Sequence, residues 1–260
     1  MSMKKRGIGF VVFGLVAYCF FLVATIPADR AFQVLQRHSE FMAKRLWVSG
    51  LTGTVWSGLA PEAMLDGVAC RNLAWDFLPA GLLAGRLNAK VRFQVQDGTV
   101  GGLLSFGRGG VVIRELEADL PVAFVAKQLG PMGAGVAGTL AVRIERLALP
   151  QGRITEVVGT GVWSGAQVNA TQQINLGDLK ADLTTRDRAV QGVLADGGGP
   201  LAVQGTFTLA ADGAYEFKGA LRARDHAQPA LEEFIGILGR PGQDGAVQVA
   251  LSGRLPVLHF

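Results

Sequence analysis

The residues Gly133-Ala134-Gly135-Val136-Ala137-Gly138 have the G-x-G-x-x-G spacing of a dinucleotide-binding turn. That chemistry needs a strand before the turn and a helix after it, so that the helix N-terminus meets the pyrophosphate. Here a helical pattern precedes the glycines and an alternating pattern, Thr139 to Leu149, follows them. The reversed context removes the cofactor reading. His38, His226 and His259 have no metal-ligand spacing among them, and the single cysteine beyond the N-terminal segment, Cys70, cannot build a zinc site. No G-x-S-x-G occurs; Ser57 and Ser164 each follow a tryptophan and precede a glycine. His226 follows Asp225, but no partner for a triad is nominated by the sequence. The other carboxylates fall on polar strand positions or in turns, and Glu232-Glu233 open a helix whose dipole favours them. No catalytic, cofactor-binding or metal-binding residue is assigned, and the chain is expected not to be an enzyme.

The elements that would have positioned such residues point elsewhere. The formal net charge is +4 over 260 residues, with 25 Lys plus Arg against 21 Asp plus Glu. Lys4, Lys5 and Arg6 come first and no acid precedes Asp29, so the remainder is close to neutral. A near-neutral body lacks the basic face of a nucleic-acid binder. Hydrophobic residues at 49% and charged residues at 18% exclude intrinsic disorder. The 36 glycines, without a triplet period, point to many tight turns.

Residues 8–26 form an apolar run of 19 residues, which as a helix spans about 28 Å, near the roughly 30 Å hydrocarbon core of a bilayer. A cleaved signal peptide has a shorter apolar stretch and a small-x-small exit, whereas here the exit is Ile26-Pro27-Ala28. A lipoprotein signal would place a small residue where Tyr18 precedes Cys19. The length favours an uncleaved single-pass anchor, residues 1–28, in contact with lipid through residues 8–26. With Lys4, Lys5 and Arg6 before it, the N-terminus is expected in the cytoplasm and the body in the periplasm of a two-membrane bacterium. Cys19 and Cys70 are then too far apart to pair, and Cys70 reads as a small buried hydrophobe.

Residues 29–46 read as a membrane-proximal amphipathic helix, with Arg30, Arg37 and Lys44 seven apart on one face that could meet lipid headgroups or simply face water. Beyond Trp47 the period is two. Leu87 to Gln96 alternates without a break, and Leu201, Val203, Phe207 and Leu209 share one parity. Such strands, separated by Asp97-Gly98, Gly109-Gly110, Asp212-Gly213 and Asp244-Gly245, predict a mainly β body of antiparallel sheet. Two short helices are expected, from Pro121 to Leu129 and from Pro229 to Leu238, each opened by proline and closed by glycine.

Trp56 and Trp163 lie 107 residues apart in similar surroundings, Pro121 and Pro229 108 apart, Gly130 and Gly239 109 apart, and Arg146 and Arg254 108 apart. These offsets suggest a tandem repeat, 47–149 and 150–260, either as two domains or as two halves of one sheet. A Trp flanked by glycines at matching places reads as a core or corner residue more readily than as a binding platform.

At these residues the chain resembles protein N of the bacterial type II secretion system. The resemblance rests on Pro27-Ala28 and on Gly53-Thr54-Val55-Trp56-Ser57-Gly58. It continues through Trp75 with Leu82 to Leu87, Gly177-Asp178-Leu179 and Gly198-Gly199-Pro200-Leu201. It is densest at the C-terminal end: Asp212-Gly213-Ala214-Tyr215, Arg224-Asp225, Pro229-Ala230-Leu231, Leu238-Gly239-Arg240-Pro241, Asp244-Gly245 and Ser252-Gly253-Arg254-Leu255. It implies a non-enzymatic inner-membrane component whose partners are other inner-membrane platform components of that system. The alternative is an anchored periplasmic β-groove protein for lipid transport or outer-membrane biogenesis. An open apolar trough along Val91, Phe93, Val95, Phe207, Leu209, Phe217 and Leu221 would favour that alternative, and a filled core would favour the scaffold.

Overall fold

The structure is a computed structural model of the 260-residue chain. It describes residues 18, 21–38, 46–65, 67–128, 135–169, 172–187, 189–210, 212–224 and 228–254. Most of the apolar run, Lys44, Gly130, Gly133, Asp225, His226 and His259 lie outside the described residues. Among the described residues, no helix is long and apolar enough to cross a membrane.

Contacts divide the chain into two compact units, residues 1–79 with 89–96, and residues 80–88 with 97–260. In the first, residues 21–24 are helical and helix α1 runs Ala28–His38, with Asp29 in its first turn and Arg37 and His38 in its last, as the helix dipole favours. Leu46 already belongs to a strand. Strands β1 (Leu46–Ser49), β2 (Thr52–Gly53), β3 (Ser57–Leu65), β4 (Val68–Leu78) and β5 (Leu87–Val95) follow. Their order is β1-β3-β4-β5, with β2 paired to β3. The expected alternation holds in β5, where Val95 is buried, Val91 and Phe93 are half-buried, and Lys90, Arg92 and Gln94 are exposed.

The second unit is an antiparallel meander. Its strands are β6 (Gly98–Gly107), β7 (Gly110–Pro121), β8 (Val136–Leu149), β9 (Glu156–Asn169), β10 (Gln173–Arg186), β11 (Ala189–Asp196), β12 (Leu201–Leu209), β13 (Ala214–Ala223) and β14 (Val247–Arg254). Each pairs with its neighbour in sequence. Strands β8 and β9, which flank residue 150, pair along nearly their full length. Parts of β9 and β11, and of β10 and β12, come within 8 Å. Next-but-one strands of a flat sheet lie about 9.6 Å apart, so the sheet is curled here.

Helices α2 (Val122–Gln128) and α3 (Pro229–Leu238) occupy the two expected places. Two short 3-10 turns, Pro79–Ala84 and Pro150–Gly152, have no counterpart in the sequence expectation. Helix α3 lays Leu231 and Ile235, one turn apart, onto Ile174, Leu176, Leu201, Val203 and Val247. A second cluster, Ile144, Val157, Val190 and Leu209, is covered by sheet residues such as Leu116, Leu183 and Phe207.

Glycine does more here than make turns. Gly205 and Gly219 face each other across β12 and β13, and the Phe217 ring lies over both, 2.7–2.8 Å from where a Cβ would stand. Tyr215 covers Gly253 in the same manner, whereas a Cβ at Gly138, at φ +113°, would meet the Ser164 and Gly165 carbonyl oxygens as well as Trp163 Nε1. Gly205, Gly219 and Gly253 make room for aromatic rings lying flat across the sheet. The turn reading holds at Gly198, Gly213 and Gly245, which have positive φ, and does not extend to these strand glycines.

A second local device closes the β11–β12 loop. The Asp196 carboxylate accepts from the Gly198 and Val203 backbone N–H groups and from Arg224 Nη1, which also donates to the Gly199 carbonyl. The Arg224 hydrogen bond, ahead of the two backbone donors, holds the Asp196 carboxyl down at about 2 against an ordinary 3.8. A depressed carboxyl pKa stabilises the fold above the unfolded value and loses that contribution as the pH falls. Between about pH 4 and pH 2, urea midpoints of the wild type are therefore expected to fall more steeply than those of Asp196→Asn. Parallel curves for the two proteins would contradict the assignment.

Candidate functional site

The segment Gly53 to Gly58 is where the apolar N-terminal run meets the β body. The Thr54 hydroxyl accepts from the backbone N–H groups of Trp56 and Ser57 at 3.2 Å, and Thr54 N donates to Ser57 O at 2.8 Å, closing a tight turn. Gly53 sits at φ +90°, where a Cβ would stand 2.5 Å from Ser57 O. Gly58 lies under the Trp75 ring. Trp75 Nε1 donates to Val55 O at 3.1 Å, Phe77 N donates to Trp56 O at 2.6 Å, and the Ser57 hydroxyl donates to Asp76. The turn is thereby locked to β4.

Its outer side receives the N-terminal chain. Val55 N donates to Ile26 O at 3.0 Å, and Pro27 bridges Thr54. Trp56 Nε1 donates to Val23 O at 2.9 Å. Helical continuation would give that carbonyl the N–H of the residue four further on, but this residue is Pro27, which has none. The indole supplies the missing donor. Trp56→Phe leaves Val23 O without it, and is expected to cost about 1 kcal/mol. Proteolysis should then begin at residues 24–30 several-fold faster, and an unchanged cleavage pattern would contradict the tether.

The other residues singled out from sequence are scattered. Trp163, half-buried in β9, donates its indole N–H to Ala137 O at 2.9 Å, so both tryptophans of the repeat spend their polar atom on backbone. The last three residues of the G-x-G-x-x-G run, Val136 to Gly138, already belong to β8 and not to a helix, with Trp163 Nε1 beside Gly138. Cys70 is buried, and desolvation pushes its thiol pKa up, away from reactivity. His38 Nδ1 lies 2.9 Å from Val34 O at the end of α1. Ser164 is exposed, as are Glu232 and Glu233 in the first turn of α3. Arg30 and Arg37 are exposed on α1. Among the described residues no three His, Cys, Asp or Glu side chains converge on a metal-sized site.

Of the seven residues that separate trough from core, Val95 and Leu209 are buried and the other five are half-buried. Leu221 packs on the cluster beneath α3 and Phe207 on the second cluster. The tie between Trp56 and Val23 was not visible in the sequence, although Pro27 four residues after Val23 marks the carbonyl that lacks a donor.

The family described as Type II secretion system (T2SS), protein N, matches residues 44–250, from the start of the β body to the middle of β14. The chain belongs to that family. Three proteins named Type II secretion system protein N are similar to it at 24% identity. The one from Aeromonas hydrophila aligns over 93% of this chain and 96% of its own length. The one from Vibrio cholerae aligns over 96% and 100%, and the one from Klebsiella pneumoniae over 88% and 89%. No solved structure matches. The family match takes in the Gly53–Gly58 turn, the β-body side of the junction, while Val23 and Ile26 precede the matched residues in this member of the type II secretion protein N family.

Proposed function

We propose that the chain is a non-enzymatic component of the type II secretion system, anchored in the inner membrane with its β body in the periplasm. There it supports assembly or function of the machinery that exports folded proteins across the outer membrane, in contact with other inner-membrane platform components. The observation that carries this reading is the tether of Val23 and Ile26 to the Gly53–Gly58 turn, which couples the end of the apolar run to the sheet. Charge supports the orientation, since Lys4, Lys5 and Arg6 precede the run.

Exposed apolar side chains support it as well. They crowd the first unit: Tyr18, Phe21 and Leu22 before the tether, Val34 and Leu35 on α1 beside Arg30 and Arg37, and the cross-strand pair Trp47 and Met64. Aromatic and basic residues next to an apolar segment suit a membrane–water boundary. The lipid-carrying alternative needs an open trough, whereas Val95 and Leu209 are buried and Leu221 and Phe207 pack on the two apolar clusters. The test is fractionation and protease accessibility of the full chain carrying a C-terminal tag. It should stay with inner membranes through a carbonate wash, and the tag should be cleaved once protease enters the periplasm. Release by carbonate, or a tag protected in spheroplasts, would overturn the placement.

A further inference from the structure

In the second unit, a cleft of about 590 Å³ lies between the 3-10 turn Pro79–Ala84 with its following residues and the β6–β7 hairpin. Four guanidinium groups line it, Arg86, Arg108, Arg114 and Arg146, together with Ser105 and Phe106, and no carboxylate does. Arg114 and Arg146 stand directly opposite each other on β7 and β8. Like charges in cross-strand register destabilise a sheet. Three residues along the same two strands, Glu117 faces Arg143, so the strands elsewhere pair opposite signs. Ile113 and Leu147, the neighbours of the two arginines, face each other, and Leu147 packs on the second apolar cluster. By alternation Arg114 and Arg146 project from the other face of the sheet.

Among the described residues, only one of the four cations has an ion-pair partner. Arg146 Nε donates to Glu156 at 2.7 Å, while Arg86, Arg108 and Arg114 are exposed. The two acids adjacent in sequence, Glu115 and Glu145, do not line the cleft. The four arginines enter the cleft from backbone positions spread along the hairpin. Arg86 lies along the hairpin end, its Cγ 3.6 Å from where a Gly107 Cβ would stand, and Arg108 is in the hairpin turn. Arg114 is four residues further down β7 than Gly110, about 13 Å at strand rise.

We infer that this cleft binds an acidic, extended segment of a partner protein, whose carboxylates engage the arginine forks along the β6–β8 face. A single phosphate group would need its donors converging on one point, whereas these are spread over the length of about four extended residues. The exposed Phe106, which lines the cleft, supplies apolar contact at the hairpin end. The inference rests on the reading of the chain as a secretion component with protein partners.

The test uses the full chain in nanodiscs and a fluorescein-labelled peptide of alternating Glu and Ser, about ten residues long, followed by fluorescence anisotropy. Binding should weaken about ten-fold in Arg114→Gln and in Arg108→Gln, and should fall steeply with added salt, as expected for exposed charges. Arg240→Gln, an exposed arginine outside the cleft, should bind as the wild type does. Each variant's thermal transition is recorded beside its affinity, since an exposed arginine on a strand can be replaced without disturbing the core. Peptide binding unaffected by Arg114→Gln and Arg108→Gln would overturn the inference. So would failure to bind peptide while inorganic phosphate or dihexanoyl-phosphatidylglycerol binds, which would assign the cleft to phosphate. Cleft binding that persists in a chain found dispensable for secretion would remove the proposed function and leave the cleft; the opposite pair of results would do the reverse.

Discussion

Leu231→Ala is expected to destabilise the second unit by about 2–5 kcal/mol, a drop in melting temperature on the order of 10 °C. Leu231 has no exposed surface, and it sits where α3 meets β10, β12 and β14. Truncation removes its transfer free energy and leaves a cavity walled by Ile174, Leu201 and Val247 on rigid strands, which cannot close over the space. The control is on the same helix. Ile237 is 78% exposed, and Ile237→Ala should change stability by less than about 0.5 kcal/mol. Thermal unfolding followed by near-ultraviolet circular dichroism distinguishes the two, and equal effects would mean that α3 is not seated on the sheet as described.

Gly53→Val should be as damaging, for a different reason. The backbone at φ +90° lies where L side chains rarely go, and a Cβ there would meet Ser57 O at 2.5 Å and Gly58 Cα at 2.8 Å, both backbone atoms. Left-handed strain of about 1–3 kcal/mol adds to overpacking of about 1–3 kcal/mol, and valine is stiff at χ1. The turn must open, and with it the bonds from Val55 to Ile26 and from Trp56 to Val23. Gly67 isolates the strain alone, being at φ +82° with nothing within 4 Å of its Cβ position. Gly67→Val should therefore cost markedly less than Gly53→Val, and early proteolysis at residues 24–30 should appear only in the latter. Equal costs would remove the steric part of the argument.

Most of the β body was readable from alternation, because a strand with one wet face repeats every two residues. Leu87 to Gln96 predicted β5 to within one residue, and Pro229 to Leu238 coincides with α3 because proline at the first position and the following glycine are local signals. What alternation hides is a break in its own period. Glu115 has φ +51° in the middle of β7, and the register against β6 shifts there, so the inward parity moves from Ile113 to Leu116. The bulged strand carries no glycine there; Gly101 and Gly102 stand opposite it on β6. Strand glycines were misread for a related reason: Gly205 and Gly219 are explained by Phe217, and only the register brings the three together. The junction and the arginine cleft were illegible because each depends on pairing between distant segments, Trp56 with Val23 and Arg114 with Arg146. The formal charge was legible only in part. Its N-terminal share read as a membrane signal, but the near-neutral sum of the body concealed a local cluster of arginines.

Export of folded cargo is the property at stake. Deletion of the gene for this chain in its host, followed by assay of type II cargo in the medium and of periplasmic leakage, addresses it directly. The prediction is that cargo accumulates in the periplasm with the envelope intact, and that the wild-type chain restores secretion while Gly53→Val does not. Normal secretion accompanied by a leaky envelope would contradict the account and return the protein to the lipid-handling class.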